Sequence, residues 1–207
     1  RFDDRGLELA LTAEGFGHGG REREHRRGTD DADLIPRLAD FNAALPGVEL
    51  RIVATEALSD FDRDQVDIAV RLTRPPFPAT QEARLLFRQY LVAVASPHLV
   101  GRMTLPLAPE QLLALPLLHD AHGQWPAFLR TSGKLPGAVF NQTALALDAA
   151  LAGQGVAIAA LAFVQADLDA GRLVKVTKSA LTAGPDYFLV RKRSLFPVAA
   201  VDSVWAW

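Results

Sequence analysis

Residues 143–176, TALALDAALAGQGVAIAALAFVQADLDAGRLVKV, carry the pattern that decides the fold. Leu147 and Leu151 fall one turn apart in a helix over 143–152, and Gly153 and Gly155 then stop it. The run 156–160 is apolar throughout, as expected of a strand covered on both faces. A second helix over 163–170 closes at Gly171, a residue free to adopt the left-handed conformation that ends helices, and 173–176 is a further strand. Helices alternating with short strands predict an α/β fold with a largely parallel sheet.

The pattern extends in both directions. Leu34, Ile35, Leu38 and Phe41 recur at helical spacing, with Asp31 or Asp33 as candidate N-cap, Pro36 tolerable in the first turn and Pro46-Gly47 as the stop. Residues 48–54 (VELRIVA) and 65–72 (QVDIAVRL) are short β-branched runs, and 91–95 (LVAVA) is uninterruptedly apolar. These three are expected as strands of one sheet. Pro109 opens a helix, 116–119 and 138–140 are short strands, and 187–190 is another.

Composition narrows the class of function. The 207 residues are 49% hydrophobic and 22% charged, with a formal net charge of -2. That balance argues against a general nucleic-acid surface, which needs clustered Lys and Arg to neutralise phosphates. With no cysteine, disulfides, thiolate metal sites and cysteine nucleophiles are all excluded. The longest apolar stretch, 151–164, is broken by Gly153, Gln154 and Gly155 and falls short of a membrane span. The charged start, RFDDR, has no signal-peptide core; it also has no initiator Met, which leaves an upstream segment open.

Taken in order, LIPRLADFNAALPGVELRIV (34–53), DQVDIAVRL (64–72), LVAVASPHLV (91–100), LLALPLLHD (112–120) and the stretch 143–176 resemble the effector-binding domain of LysR-type transcriptional regulators. The resemblance covers roughly residues 34 to 207. It implies a fold like that of type 2 periplasmic binding proteins: two Rossmann-like lobes joined by two crossing strands, here 91–97 and 186–193, with a small-molecule effector in the cleft between them. Lobe 1 is then 29–92 with 191–207, and lobe 2 is 93–190. The resemblance also implies a cytoplasmic homodimer or tetramer without cofactor, metal or membrane, whose DNA is read by a winged helix-turn-helix domain upstream. Arg5-Gly6-Leu7 followed by LTAEG (11–15) resembles the end of that domain, so 1–15 is expected to be its remnant and 16–28 a linker arm. On this reading no room is left before residue 34 for the first strand of lobe 1, whose end carries an effector-contacting Ser or Thr in the family.

The arm contains a competing motif. Gly15, Gly17 and Gly20 satisfy G-x-G-x-x-G after a possible strand at 7–11, as in dinucleotide-binding turns. That chemistry needs a following helix and an acidic residue about 20 residues on. REREHRRG (21–28) has no apolar stripe and no such acid follows, so a flexible glycine arm is expected and no cofactor. His18 and His25 read as solvated, and the basic run Arg21, Arg23, Arg26 and Arg27 is interleaved with Glu22 and Glu24.

The resemblance nominates seven effector contacts, each with an ordinary structural alternative. Thr55 ends a strand and offers a hydroxyl, or merely caps it. Arg71 is the best polar candidate, because a guanidinium can clamp a carboxylate through two parallel hydrogen bonds; the alternative is a surface ion pair with Glu56 or Glu82. His119 and Asp120 follow the strand PLLHD, with Trp125 just beyond, and either line the cleft or serve structure. Asn141 and Thr143 stand at the start of a helix, where free N–H groups attract an anion and where such residues are also N-caps. No nucleophile elbow, Walker-type loop, H-E-x-x-H or carboxylate pair is present, so an α/β enzyme is not expected. A transport solute-binding protein, which shares the fold and cleft, is the alternative reading.

Overall fold

The computed structural model describes residues 7–12, 37–55, 59–182, 184–196 and 198–207. In chain order the elements are β1 (Leu7–Thr12), α1 (Leu38–Ala44), β2 (Leu50–Thr55), β3 (Ile68–Thr73), β4 (Gln81–Phe87), β5 (Leu91–Ala95), α2 (Pro97–Val100) and α3 (Pro109–Leu113). There follow β6 (Leu117–His119), α4 (Trp125–Leu129), β7 (Ala138–Val139), α5 (Thr143–Leu151), β8 (Val156–Ala160), α6 (Leu161–Asp169), β9 (Val174–Lys175), β10 (Asp186–Lys192) and α7 (Ala199–Ala206). They form two compact units. One holds β1 together with the described residues of 37–88 and 185–207, and the other holds 89–184.

The first unit is built on a five-stranded sheet in the order β2-β1-β3-β10-β4. LELALT alternates apolar and other residues with the period of a strand, and β1 runs parallel between β2, with Leu7 opposite Leu50 through Thr12 opposite Thr55, and β3, with Leu9 opposite Ile68. This corrects two expectations. Residues 7–12 are an internal strand of the first lobe's sheet rather than the tail of a winged helix-turn-helix domain, and the strand that seemed to have no room is supplied from upstream of the arm. The arm itself, with its glycine motif, histidines and basic run, lies outside the described residues. Ile68 and Ala69 of β3 and Val190 of β10 are fully buried. At the end of α7 the Trp207 ring meets the buried Phe41 of α1 edge-on, with centroids 5.3 Å apart, so the two helices share a core.

The second unit has a sheet in the order β7-β6-β8-β5-β9. Both β5 and β8 are buried along their whole length, which is why each is apolar at every position. Val92, Val94, Leu118, Ala157 and Ala159 of the sheet pack with Ala146, Leu147 and Ala150 of α5 and Val164 of α6. Gly155 permits the close approach of β8 to β6, since a Cβ there would sit 2.6 Å from the Pro116 carbonyl.

One further expectation is corrected: residues 91–95 belong to the second sheet and not with β2 and β3. In each sheet four of the five strands run one way and one runs against them. β10 runs antiparallel to both β3 and β4, and β5 antiparallel to both β8 and β9. The reason is connectivity: β10 returns to the first unit after the whole of the second, and it enters against the direction of its neighbours. The expected crossing segments likewise each belong to one sheet, the chain passing between units near residues 88–89 and 184–185.

Candidate functional site

In the second unit, the end of β6 and the start of α5 meet. Asp120, the residue after β6, accepts the Thr143 Oγ1–H at 2.8 Å on one carboxylate oxygen and the His122 backbone N–H at 3.0 Å on the other. Thr143 is the first residue of α5 and only 3% exposed. A hydrogen bond between a carboxylate and a buried hydroxyl is of the stronger, charge-assisted kind. It fixes Asp120 beside the helix N-terminus, where the backbone dipole favours negative charge. An incoming anion would therefore meet a carboxylate already in place, whereas a hydrogen-bond donor would find an acceptor.

His119 is half-buried, its Nε2 3.4 Å from the Pro136 carbonyl. Its ring packs against the backbone of Gly137, where φ is +156° and a Cβ would lie 2.8 Å from the ring and 2.1 Å from the Leu117 carbonyl. Only glycine fits there. Asn141 is exposed in the loop before α5. The N-cap of α5 is Gln142, whose side chain makes no capping bond, so neither Asn141 nor Thr143 is the cap. Trp125 is 1% exposed, donates its indole N–H to the Leu118 carbonyl at 2.8 Å and meets Phe128 edge-on. Its polar atom and its faces are used inside the unit.

In the first unit, Arg71 lies within β3 and is 7% exposed, which rules out a surface ion pair. Glu82 is engaged elsewhere, with Arg191 at 2.8 Å; Glu56 lies outside the described residues. One guanidinium nitrogen of Arg71 donates to the Ser59 carbonyl, and the group lies over the Phe61 ring, 4.6 Å from its centroid. Nε is buried with no partner among the described residues. Burial pushes the guanidinium below its ordinary pKa, with Asp60 pulling weakly the other way. A buried cation with an unmatched donor is costly, and a carboxylate supplies both the countercharge and the acceptors it lacks. Thr55 ends β2 in register with Thr12, which ends β1. Sequence reasoning missed Thr12 because its strand was assigned to another domain; the alternation in LELALT was the available signal.

The structure thus groups His119, Asp120 and Thr143 in one unit, with Asn141 in the adjoining loop. It sets Arg71 and the strand ends at Thr12 and Thr55 in the other, and it withdraws Trp125 into a core. Among the described residues no group of three or more His, Asp or Glu is placed to hold a metal ion, and no helix is long and apolar enough to cross a membrane.

The mixed sheets, each shared by discontinuous stretches of chain or returning strands, define a type 2 periplasmic-binding-protein-like fold. The effector domain of the transcriptional regulator AmpR of Pseudomonas aeruginosa has the same fold: TM-score 0.74 at 24% identity, covering 98% of this chain and 93% of that one. Residues 30–207 match the family described as the LysR substrate binding domain, and the chain belongs to that family. It is similar to the glycine cleavage system transcriptional activator of Escherichia coli K12, 33% identical over 180 residues, covering 84% of this chain and 59% of the relative. It is also similar to the HTH-type transcriptional regulator TrpI of Pseudomonas aeruginosa, 37% identical over 148 residues, covering 68% of this chain and 50% of the relative. The chain thus spans between half and three-fifths of the length of these relatives.

Proposed function

We propose that this chain is the metabolite-sensing part of a LysR-type transcriptional regulator, binding a small effector with an anionic group. The observation that carries the reading is Arg71, a buried guanidinium whose Nε is unmatched. An effector carboxylate satisfies it through charge-assisted hydrogen bonds. Thr12 and Thr55 are the hydroxyl-bearing strand ends on the same lobe. On the other lobe Asp120, held by Thr143, with His119 beside it and Asn141 in the adjoining loop, offers an acceptor to a hydrogen-bond donor. Lobe 1 comprises β1 with residues 37–88 and 185–207, and lobe 2 comprises 89–184.

Binding shifts regulation only through different affinity for two lobe arrangements, since a ligand that binds both equally moves nothing. The role is sensing rather than catalysis, in a cytoplasmic homodimer or tetramer. DNA is read by a winged helix-turn-helix domain upstream of the sensing lobes. A thermal-shift screen of carboxylate metabolites on the wild-type chain and on Arg71→Ala tests the reading. At a ligand concentration about 100-fold above Kd, wild type gains about 2.7 kcal/mol, or roughly 5–11 °C in a domain of this size. Loss of the clamp weakens binding about 100-fold and leaves a shift of roughly 1 °C at the same concentration. An undiminished shift in the variant removes Arg71 from the site.

A further inference from the structure

A groove of about 640 Å³ runs along β4, the outermost strand of the first unit's sheet, walled by Phe77 and Trp205 and carrying Glu82, Arg84 and Arg193 on its lining. Its charge is not balanced from within. Glu82 and Arg84 are two residues apart on β4, and Arg191 stands opposite Glu82 in register, so these side chains share one face of the sheet. Arg191 takes the carboxylates: its Nε lies 2.8 Å from Glu82, and its Nη1 lies 2.6 Å from Asp202 of α7. Arg193 reaches only the other oxygen of Glu82, at 3.9 Å. Arg84 has no carboxylate partner among the described residues; its guanidinium stands 5.5 Å from the Trp205 ring centroid. Three arginines thus face two carboxylates, a surplus of one cation, and Arg84 and Arg193, which have no carboxylate closer than 3.9 Å among the described residues, are the two that line the groove. The groove is open to solvent, so a ligand lies along it rather than inside it, between two aromatic rings and beside two arginines.

We infer that this groove is a second small-molecule site, separate from the proposed sensing residues, for a flat aromatic carboxylate whose ring lies against Phe77 and Trp205 and whose carboxylate is held by Arg84 and Arg193. Guanidinium forks match a carboxylate in plane, and the Trp205 indole, with the Arg191 guanidinium 4.6 Å and that of Arg84 5.5 Å from its ring centroid, borders the place where the ring would lie. The ring supplies apolar contact and the charge supplies orientation.

The test uses 2-naphthoate and its neutral isostere 2-naphthamide, titrated into the 207-residue chain. Indole N–H signals are followed by NMR, with that of Trp205 assigned through Trp205→Phe. The naphthoate is expected to move the Trp205 signal and leave that of the buried Trp125 in place, and the amide to bind about ten-fold or more weakly. Arg84→Gln and Arg193→Gln each weaken the naphthoate by a similar factor, an unshifted Trp125 signal confirming that the variants are folded. The inference is overturned if the Trp205 signal does not respond, if amide and acid bind alike, or if the double variant Arg84→Gln/Arg193→Gln binds naphthoate as wild type does. The same titration on Arg71→Ala separates the two sites: a Trp205 shift kept in that variant comes from the groove, and one lost with Arg71 overturns the inference.

Discussion

Thr143→Val isolates the contact that organises the second unit's candidate site. The substitution keeps side-chain volume and opens no cavity, but it replaces the hydroxyl of a residue that is only 3% exposed with a methyl group. What is lost is one charge-assisted hydrogen bond of 2.8 Å to Asp120, worth about 1.5–3 kcal/mol. The added methyl returns up to about 0.8 kcal/mol by burial. Asp120 keeps its bond from the His122 N–H and some access to water, which limits the penalty of leaving it unmatched. The net cost is about 1–2 kcal/mol, or roughly 2–8 °C in Tm for a chain of this size. A double-mutant cycle with Asp120→Ala, read by urea unfolding, should give a coupling of about 1–2 kcal/mol. If the two substitutions add to within about 0.3 kcal/mol, the hydroxyl and carboxylate are not energetically linked and the argument for a fixed Asp120 fails.

Other consequences are equally open to measurement. Leu9→Pro removes a backbone donor from a strand paired on both sides and should cost about 3 kcal/mol or more; hydrogen exchange should show protection lost in β2 and β3 but kept in β5 and β8, and unchanged protection would remove β1 from the sheet. Gly137→Ala forces the β7 backbone away from the Leu117 carbonyl at a cost of about 1–3 kcal/mol, which displaced His119 ring signals in NMR should report. Asp64, hydrogen-bonded to the Arg63 guanidinium, has its pKa lowered to about 2. Its folded-state pKa is depressed, so its contribution is present above the ordinary 3.8 and lost as pH falls toward 2; a carboxyl-carbon titration should show this, with the midpoint moving back up in Arg63→Gln.

Where side-chain periodicity reports burial, the sequence was readable. The runs 91–95 and 156–160 are strands because both faces are covered, and the helix from Thr143 starts at the expected residue. β4 was not anticipated: QEARLLF lies at a sheet edge with Leu85 and Arg84 exposed, so its pattern is set by solvent and ion pairs as much as by a core. Sheet membership was also beyond local reading, because β5 and β3 are alike in composition and only long-range pairing separates them. At the candidate site, Arg71 stands out in sequence as a cation in an apolar run, but its burial and its unmatched Nε are products of tertiary structure. Trp125 shows the converse, an aromatic residue beside the His-Asp pair whose environment is wholly internal.

The strand order β2-β1-β3-β10-β4 has a consequence for how the molecule is made. The second unit is continuous in sequence over its described residues and can close its core while the ribosome is still elongating. The first unit cannot. Its outer strand β4 has no neighbour until β10 is synthesised and slots between β3 and β4, and Phe41 waits longer still for Trp207. The half-built sheet of β1, β2 and β3 must therefore be kept from pairing with other chains through the whole synthesis of the second unit, which makes the first unit the part of the nascent protein exposed to aggregation and to chaperones.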